Sequence, residues 1–153
     1  MTNETDDVVA LTRLQSRYAD VISRRAFAEL RDLFLPDTEV HVDTVTAPVR
    51  AFIGPEEFGA FVETAVDRFD HFVFAILNAT VDLTGPDHAT GRTFMCEIRH
   101  DAAADEWSFA YGLYQDTFRR VDGRWWFASR HYRSMARTGS GAAVFGLPPI
   151  ANA

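Results

Sequence analysis

A single histidine marks the point in this chain where acid–base chemistry is most readily expected. His71 stands in the sequence Asp70-His71-Phe72, between an amphipathic helical pattern and a long, mostly apolar strand pattern. A side chain at this junction is predicted to point into the hollow of a small cone-shaped fold. Histidine titrates near neutral pH and is therefore well suited to moving protons. We predict that His71 is a general acid or base; the alternative is a histidine that caps the helix or binds a backbone carbonyl.

The first strand supplies two candidate partners for this histidine. Val40 and Val42 share one face of the strand, whereas His41 and Asp43 share the other. A carboxylate next to His71 would fix its tautomer and raise its basicity. Asp43 is therefore a candidate catalytic residue and His41 a candidate substrate-binding residue. The alternative is that both belong to the solvent-facing side of an outer strand.

A second carboxylate lies on the strand predicted over residues 89–100. Glu97 and Arg99 fall on the same face of this strand, together with Thr93 and Met95. In a pocket, Arg99 would hold Glu97 ionised and could also bind substrate. On the surface, the same two residues would be an ordinary solvated ion pair, and the sequence leaves both alternatives open.

Tyrosine hydroxyls are the candidate groups for holding a substrate oxygen. Tyr114 and Asp116 share a face of a predicted strand with Gly112, where the missing side chain leaves room for a ligand. A hydrogen bond from Tyr114 to a substrate carbonyl would stabilise an enolate as it forms. Tyr114 and Tyr18 have the same alternative, which is packing in the core with a satisfied hydroxyl. Asp116 is a further candidate for substrate binding.

The elements that must position these residues are helices followed by an antiparallel meander. Helical spacing of apolar residues predicts helices over 11–22, 27–34 and 54–69, and strands are predicted over 38–45, 72–84, 89–100, 107–121 and 124–136. Each helix has one apolar stripe, so the three helices must cover one face of a curved, mainly antiparallel sheet. This predicts an α+β fold with a deep pocket.

The chain is predicted to form one domain over residues 1–137, followed by a tail over 138–153. The tail is expected to be either disordered or a flap that carries Phe145, Leu147 and Ile150 over an apolar surface. Large side chains are expected on both faces of the last strand, with Trp125 and Phe127 on one face and Trp126 and Arg130 on the other. A sheet with aromatic residues on both faces needs a second partner, so we predict a homodimer.

Composition excludes several classes of function. The formal net charge is −7, from 15 Lys and Arg against 22 Asp and Glu, which argues against a nucleic-acid partner. No apolar run is long enough to span a bilayer, and the acidic start lacks the layout of a signal peptide. Cys96 is the one cysteine, which is consistent with a cytoplasmic setting. The five histidines lack metal-ligand spacing, and we expect neither a metal nor another cofactor.

Several local motifs resemble one known family over residues 8–137. The motifs are Tyr18, Phe27-Ala-Glu-Leu30-Arg-Asp-Leu-Phe34, Phe52-Ile-Gly54-Pro55-Glu56-Glu57-Phe58, His71, Ala89-Thr-Gly91-Arg and Val121-Asp122-Gly123-Arg-Trp125-Trp-Phe127. Together they resemble the SnoaL-like families of the nuclear transport factor 2-like superfamily. The resemblance implies a cone-shaped α+β barrel. The superfamily contains dehydratases, isomerases, cyclases, epoxide hydrolases and non-catalytic modules, so fold does not fix function.

The similar dehydratases imply roles for individual residues. Their pocket histidine matches His71, the first-helix tyrosine of the bile-acid dehydratase type matches Tyr18, and its third-strand carboxylate matches Glu97. The acid that those enzymes carry five residues after the tyrosine is replaced here by Ser23. A tyrosine that they carry on the first strand falls near Asp43.

These observations predict a cofactor-independent enzyme that dehydrates, isomerises or cyclises a hydrophobic, oxygenated small molecule such as a polyketide, steroid or terpenoid. His71 would move the proton, and Asp43 or Glu97 would orient the histidine. Tyr18 and Tyr114 would hold a substrate oxygen. Two alternatives belong to other classes. One is a non-catalytic ligand-binding or assembly module, and the other is the small subunit of a ring-hydroxylating oxygenase; Ser23 at the acid position favours these two.

Overall fold

The computed structural model describes residues 3–151 and confirms the α+β fold. The helices are α1 (Glu4–Ser23), a short 3₁₀ helix (Phe27–Asp32) and α2 (Gly54–Val66). The strands are β1 (Phe34–Asp43), β2 (Arg50–Ile53), β3 (Phe69–Gly85), β4 (His88–Asp101), β5 (Glu106–Val121), β6 (Arg124–Arg137) and β7 (Ala143–Val144). Neither α-helix within residues 3–151 is both long enough and apolar enough to cross a membrane.

The strands form one curved, mixed sheet in the order β2-β1-β6-β5-β4-β3, with β7 beside β6. Neighbouring strands are antiparallel except for β1 and β6, which run parallel. β2 and β3 lie at opposite ends of this order and do not pair, so the sheet is an open cone rather than a closed barrel. The curvature leaves a hollow that the helices cover.

Both helices begin at clear sequence signals and contribute one apolar stripe to the core. The side chain of Asn3 accepts a hydrogen bond from the backbone N–H of Asp6 at 2.8 Å and caps α1. Pro55 lies in the first turn of α2, where its missing N–H costs nothing. The buried side chains of the stripes include Leu11, Leu14, Tyr18, Val21, Ile22, Phe58 and Val66.

Several element boundaries differ from those predicted. The second helix is a 3₁₀ helix, which fits the three-residue spacing of Phe27, Leu30 and Leu33 because side chains three apart lie on one side of that helix. The short strand β2 was not predicted. β3 begins at Phe69 rather than at 72, so His71 lies inside a strand and not at a helix–strand junction.

The described part of the tail folds back onto the sheet. β7 pairs with the end of β6. The Gln115 side chain donates to the carbonyl of Pro149 at 3.1 Å and accepts from the N–H of Ala151 at 2.8 Å. Leu147 and Ile150 are exposed, whereas Phe145 is half-buried, with its ring 5.3 Å from Cζ of Arg137. The last two residues of the predicted tail lie outside the described residues.

Candidate active site

A cavity of about 190 Å³ lies between the helices and the concave face of the sheet. Its most buried wall is aromatic and consists of Tyr18, Phe58, Phe74, Tyr114 and Tyr132. Its polar lining includes Arg68, Glu97, Arg99, Ser134 and Arg137. The cavity therefore combines an apolar floor with a few charged and hydroxyl groups, which is the usual composition of a small-molecule site.

Strand alternation decides which side chains reach this cavity. Phe72 and Phe74 point inward on β3, and in the register of the sheet they lie opposite Arg99 and Glu97 on β4. The alternation predicted for β4 is therefore observed, and its polar face is the one that lines the cavity. Sequence alone had left open whether Glu97 and Arg99 face the pocket or solvent.

Glu97 and Arg99 form a pair at the cavity wall. The Nη1 atom of Arg99 lies 3.6 Å from Oε2 of Glu97, and the two side chains are 14% and 23% exposed, respectively. Burial raises the pKa of the Glu97 carboxyl, and the charge of Arg99 acts in the opposite direction. Nε of Arg99 also donates to Oγ of Ser108 at 3.2 Å, which fixes the guanidinium. Raising the pKa of a carboxyl makes its ionised form a stronger base for accepting a proton.

Three tyrosine hydroxyls accompany this carboxyl. Burial raises the pKa of Tyr18 and of Tyr132 to about 12, and raises that of Tyr114 well above its ordinary value. All three phenols therefore stay protonated and can donate hydrogen bonds. The rings of Tyr114 and Tyr132 are 4.9 Å apart between centroids, and the Tyr132 hydroxyl shares a 3.1 Å hydrogen bond with Oγ of Ser134. Together they provide donors for a substrate oxygen.

A buried ion pair between Asp116 and Arg130 packs against two of the tyrosine rings. Nε of Arg130 donates to Oδ1 of Asp116 at 2.9 Å, and Nη2 donates to Oδ2 at 3.2 Å. The guanidinium carbon lies 4.0 Å from the ring centroids of both Tyr18 and Tyr114. Asp116 does not line the cavity, so its predicted contact with substrate is not supported. The pair instead holds two tyrosine rings in place.

His71 lies on the opposite face of β3, and the prediction that its ring faces the cavity is wrong. The side chain is exposed and lies against Trp107, with 5.2 Å between ring centroids. Because Phe72 and Phe74 point inward, the alternation of the strand directs His71 outward. The same alternation is visible in the sequence, and applying it to the start of β3 would have found this orientation.

His41 and Asp43 also lie outside the cavity, because Val42 between them takes the inward direction on β1. Nε2 of His41 is 3.2 Å from Oε1 of Glu39. Oδ2 of Asp43 is 3.7 Å from Nη1 of Arg133. Neither residue contacts Glu97, so the predicted cluster of Asp43, Glu97 and His71 is not formed.

The position where similar dehydratases carry an acid has a structural role in this chain. Oγ of Ser23 accepts a hydrogen bond from the backbone N–H of Phe74 at 2.9 Å. Ser23 thus ties the end of α1 to β3 and does not line the cavity. The space over Gly112, predicted to receive a ligand, is filled by the ring of Tyr132.

Five lining residues with polar or charged groups were not predicted as site residues from the sequence: Thr44, Arg68, Tyr132, Ser134 and Arg137. Tyr132 and Ser134 had a detectable signal, since they alternate inward along the predicted last strand. Arg68 follows α2, and Arg137 is the last residue of β6. At such positions the periodicity of the sequence does not predict where a side chain points. Within residues 3–151 no group of three or more His, Cys, Asp or Glu side chains is arranged to hold a metal ion.

Fold and cavity together define a cone-shaped α+β protein whose cavity has one wall of tyrosines and a partly buried carboxyl. The chain belongs to the SnoaL-like domain family, whose model matches residues 3–131. Its fold is that of the nuclear transport factor 2-like superfamily. None of the curated proteins matches this chain.

Solved structures with the same fold include proteins named for elimination reactions. A protein from Novosphingobium aromaticivorans, provisionally assigned as a scytalone dehydratase, is 25% identical with a TM-score of 0.76 over 96% of this chain and 95% of its own. The hexachlorocyclohexane dehydrochlorinase LinA-type3 from Novosphingobium barchaimii is 19% identical, with a TM-score of 0.75 over 92% and 94%. A provisionally assigned dehydratase from Streptomyces avermitilis is 16% identical, with a TM-score of 0.71 over 86% and 98%. The last two likenesses concern the fold alone.

Proposed function

We propose that this protein is a cofactor-independent enzyme that dehydrates or isomerises a small, mostly apolar molecule by proton transfer. One observation carries the proposal: the raised-pKa carboxyl of Glu97 lines the same cavity as the phenols of Tyr18, Tyr114 and Tyr132. A base beside several hydrogen-bond donors is the arrangement needed to form an enolate. The provisional assignment of the Novosphingobium aromaticivorans protein as a scytalone dehydratase supports the same class of reaction.

Each group has a defined task in the proposed reaction. The Glu97 carboxylate removes a proton from the carbon next to a substrate carbonyl. A tyrosine hydroxyl donates to the carbonyl oxygen and stabilises the negative charge that develops there. For a β-hydroxy ketone, the carbon–oxygen bond then breaks, and the hydroxyl leaves as water with the proton carried by Glu97. For an isomerisation, Glu97 returns the proton to a different carbon.

The volume of the cavity limits the size of the substrate. A cavity of roughly 150 Å³ is known to hold one benzene ring. The cavity here, at about 190 Å³, therefore suits one ring with a few substituents. This favours a monocyclic ketone or hydroxy ketone over the steroid considered from the sequence.

Hydrogen exchange tests the proposal without knowledge of the natural substrate. The protein is incubated in D₂O with a panel of monocyclic ketones and β-hydroxy ketones, and ¹H NMR follows the loss of α-proton signals and the appearance of enones. We expect catalysed exchange with the wild type and a loss of roughly a hundredfold or more in Glu97→Gln. Glu56→Gln, at an exposed position on α2, is the matched control. Equal rates in Glu97→Gln and wild type would contradict the role of Glu97.

A non-catalytic binding module is the second candidate function. The observation that favours it is that none of the histidines in the described part of the chain lines the cavity. In that case a panel ketone would bind, as shown by chemical-shift changes of the tyrosine rings, but its α-protons would not exchange faster than in buffer. The two candidates therefore give different results in the same experiment.

A homodimer through the outer face of the sheet remains our proposal for the assembly. Trp107 and Tyr111 are partly exposed on the outer face of β5, with Trp107 at 56%. Arg130 does not contribute to this face as predicted, because it is fully buried with Asp116. We expect sedimentation to show a dimer that Trp107→Glu dissociates, whereas Val9→Glu, at an exposed position on α1, leaves it intact.

A further inference from the structure

Three arginine side chains meet at one end of the cavity. Arg68 follows α2, Arg99 lies near the end of β4, and Arg137 is the last residue of β6. The topology brings them together, since β4 and β6 both end on the side of the sheet where β3 and β5 begin. This end is also the accessible one, because the side chain of Arg68 is 68% exposed.

The charge at this end is not balanced by the protein. Among the lining residues that the structure describes, Glu97 is the one carboxylate, and it is paired with Arg99. Arg68 has a distant partner in Asp101, at 4.0 Å. The surplus of positive charge is therefore concentrated on Arg68 and Arg137.

Arg137 has the least satisfied guanidinium of the three. Its Nη2 donates to Oγ1 of Thr46 at 2.9 Å and to the carbonyl of Thr44 at 3.5 Å, but within residues 3–151 no carboxylate lies within 4.0 Å of its nitrogens. Its Nε is buried and has no hydrogen-bond partner. The ring of Phe145 lies 5.3 Å from its Cζ. A partly buried cation with a buried, unpaired Nε and no counter-ion is unfavourable, and an anionic ligand would stabilise it.

The sheet register leaves room for such a ligand between Arg137 and Glu97. Ala110 on β5 is paired with Arg137 on one side and with Glu97 on the other. The two charged residues are therefore two strands apart, which corresponds to roughly 9.5 Å between backbones. The small side chain between them leaves space over Ala110 that a ligand ring can occupy.

We infer that the cavity takes a monocyclic carboxylic acid, with its carboxylate on Arg137 and its ring over Ala110 towards Glu97. The inference rests on the proposed use of the cavity as a ligand site and names the class of its substrate. The planar guanidinium matches a carboxylate through two parallel hydrogen bonds. The apolar wall near Phe74 and Tyr114 takes the ring, and the reacting carbon lies on the Glu97 side.

Binding of benzoate tests the inference, with benzyl alcohol as the uncharged ligand of similar size. Calorimetry or NMR titration should show benzoate binding more tightly than benzyl alcohol, with a preference that weakens as salt is added. Arg137→Gln should weaken benzoate binding about tenfold or more and leave benzyl alcohol unchanged. Arg137→Lys keeps the charge but loses the planar fork, so its affinity should fall between the two.

A matched control lies on the same strand. Arg133 is on the outer face of β6 beside Asp43, and Arg133→Gln should leave benzoate binding unchanged. Thermal melts check that the Arg137 variants are folded. Equal affinity for benzoate and benzyl alcohol, an unchanged affinity in folded Arg137→Gln, or equally tight binding of inorganic phosphate would overturn the inference.

The Glu97→Gln variant separates this inference from the proposed function. If Glu97→Gln binds benzoate at least as well as wild type but wild type catalyses no exchange, the anion site stands and the enzymatic proposal fails. If wild type catalyses exchange of neutral ketones and does not discriminate benzoate from benzyl alcohol, the enzymatic proposal stands and the anion site fails.

Discussion

The ring of Tyr132 packs directly against the backbone of Gly112 on the neighbouring strand. A Cβ atom on Gly112 would stand 2.7 Å from Cζ and 2.8 Å from the hydroxyl oxygen of Tyr132. Such distances are too short for non-bonded atoms, so a residue larger than glycine must displace the ring. The close approach places the Tyr132 hydroxyl beside Ser134 at the cavity wall.

We therefore expect Gly112→Ala to be destabilising. Overpacking of a core typically costs about 1–3 kcal/mol of unfolding free energy. The displaced Tyr132 ring should also reduce the cavity and weaken ligand binding. Urea denaturation measures the stability. Gly85→Ala is the control, because a Cβ there meets nothing within 4 Å. If both variants have wild-type stability, the packing of Tyr132 against Gly112 is not as described.

Removing one partner of the buried Asp116–Arg130 pair should have a much larger effect than removing an exposed partner. Asp116→Asn leaves the guanidinium of Arg130 without a counter-charge at a site that is 1% exposed. Breaking such a pair costs about 3–5 kcal/mol. The exposed pair of Asp37 and Arg119, 3.4 Å apart, provides the comparison, and Asp37→Asn should cost about 1 kcal/mol or less. Equal shifts of the denaturation midpoint in Asp116→Asn and Asp37→Asn would contradict this difference.

His71→Ala should retain the activity of the wild type. His71 is exposed on the outer face of β3 and does not line the cavity. Tyr114→Phe, which removes a hydroxyl from the cavity wall, should lower kcat instead. The rates of hydrogen exchange in the ketone panel provide the comparison. A strong loss of exchange in His71→Ala, with Tyr114→Phe unaffected, would restore the histidine mechanism.

The fold and part of the site could be predicted from the sequence, for physical reasons that also explain the errors. Alternation on β1 and β4 correctly predicted which side chains share a face, but it does not reveal which face lines the cavity. Glu97 and Arg99 were therefore placed in the site correctly, and His41 and Asp43 were not. The start of β3 was misplaced by three residues, and this assigned His71 to a junction rather than to an outward strand position. The direction of Arg137 depends on where β6 ends and on how the tail returns, which no local pattern encodes.

The raised pKa of Glu97 predicts a pH dependence of stability with a definite sign. Because burial raises this pKa, the native state holds the proton over a pH range in which the unfolded chain has released it. The unfolding free energy therefore falls as pH rises from the ordinary glutamate pKa to the raised one. Glu97→Gln has no titrating group at position 97 and should lack this decrease in the unfolding free energy. Urea denaturation of both proteins at several pH values measures it. A difference between them that does not change with pH would contradict the burial of this carboxyl.

His100 should stabilise the protein at acidic pH through two carboxylates on the outer face. Nδ1 of His100 lies 2.6 Å from Oδ1 of Asp70, and Nε2 lies 3.2 Å from Oδ1 of Asp105. The hydrogen bond with Asp70 raises the pKa of His100 above its ordinary value of 6.5, with a smaller effect from Asp105. This contribution is fully present below pH 6.5, while the carboxylates are ionised, and is lost as pH rises through the raised pKa.

The variant His100→Gln tests this contribution. Its Tm should lie below that of the wild type at about pH 5, and the gap should narrow as the pH approaches about 9. His88→Gln, at the exposed start of β4, is the control and should match the wild type at both pH values. The ion pairs join the start of β3 to the turn between β4 and β5, so their loss should also increase amide exchange at Phe72. A Tm gap that stays constant or widens with rising pH would show that His100 does not hold its extra proton through Asp70 and Asp105.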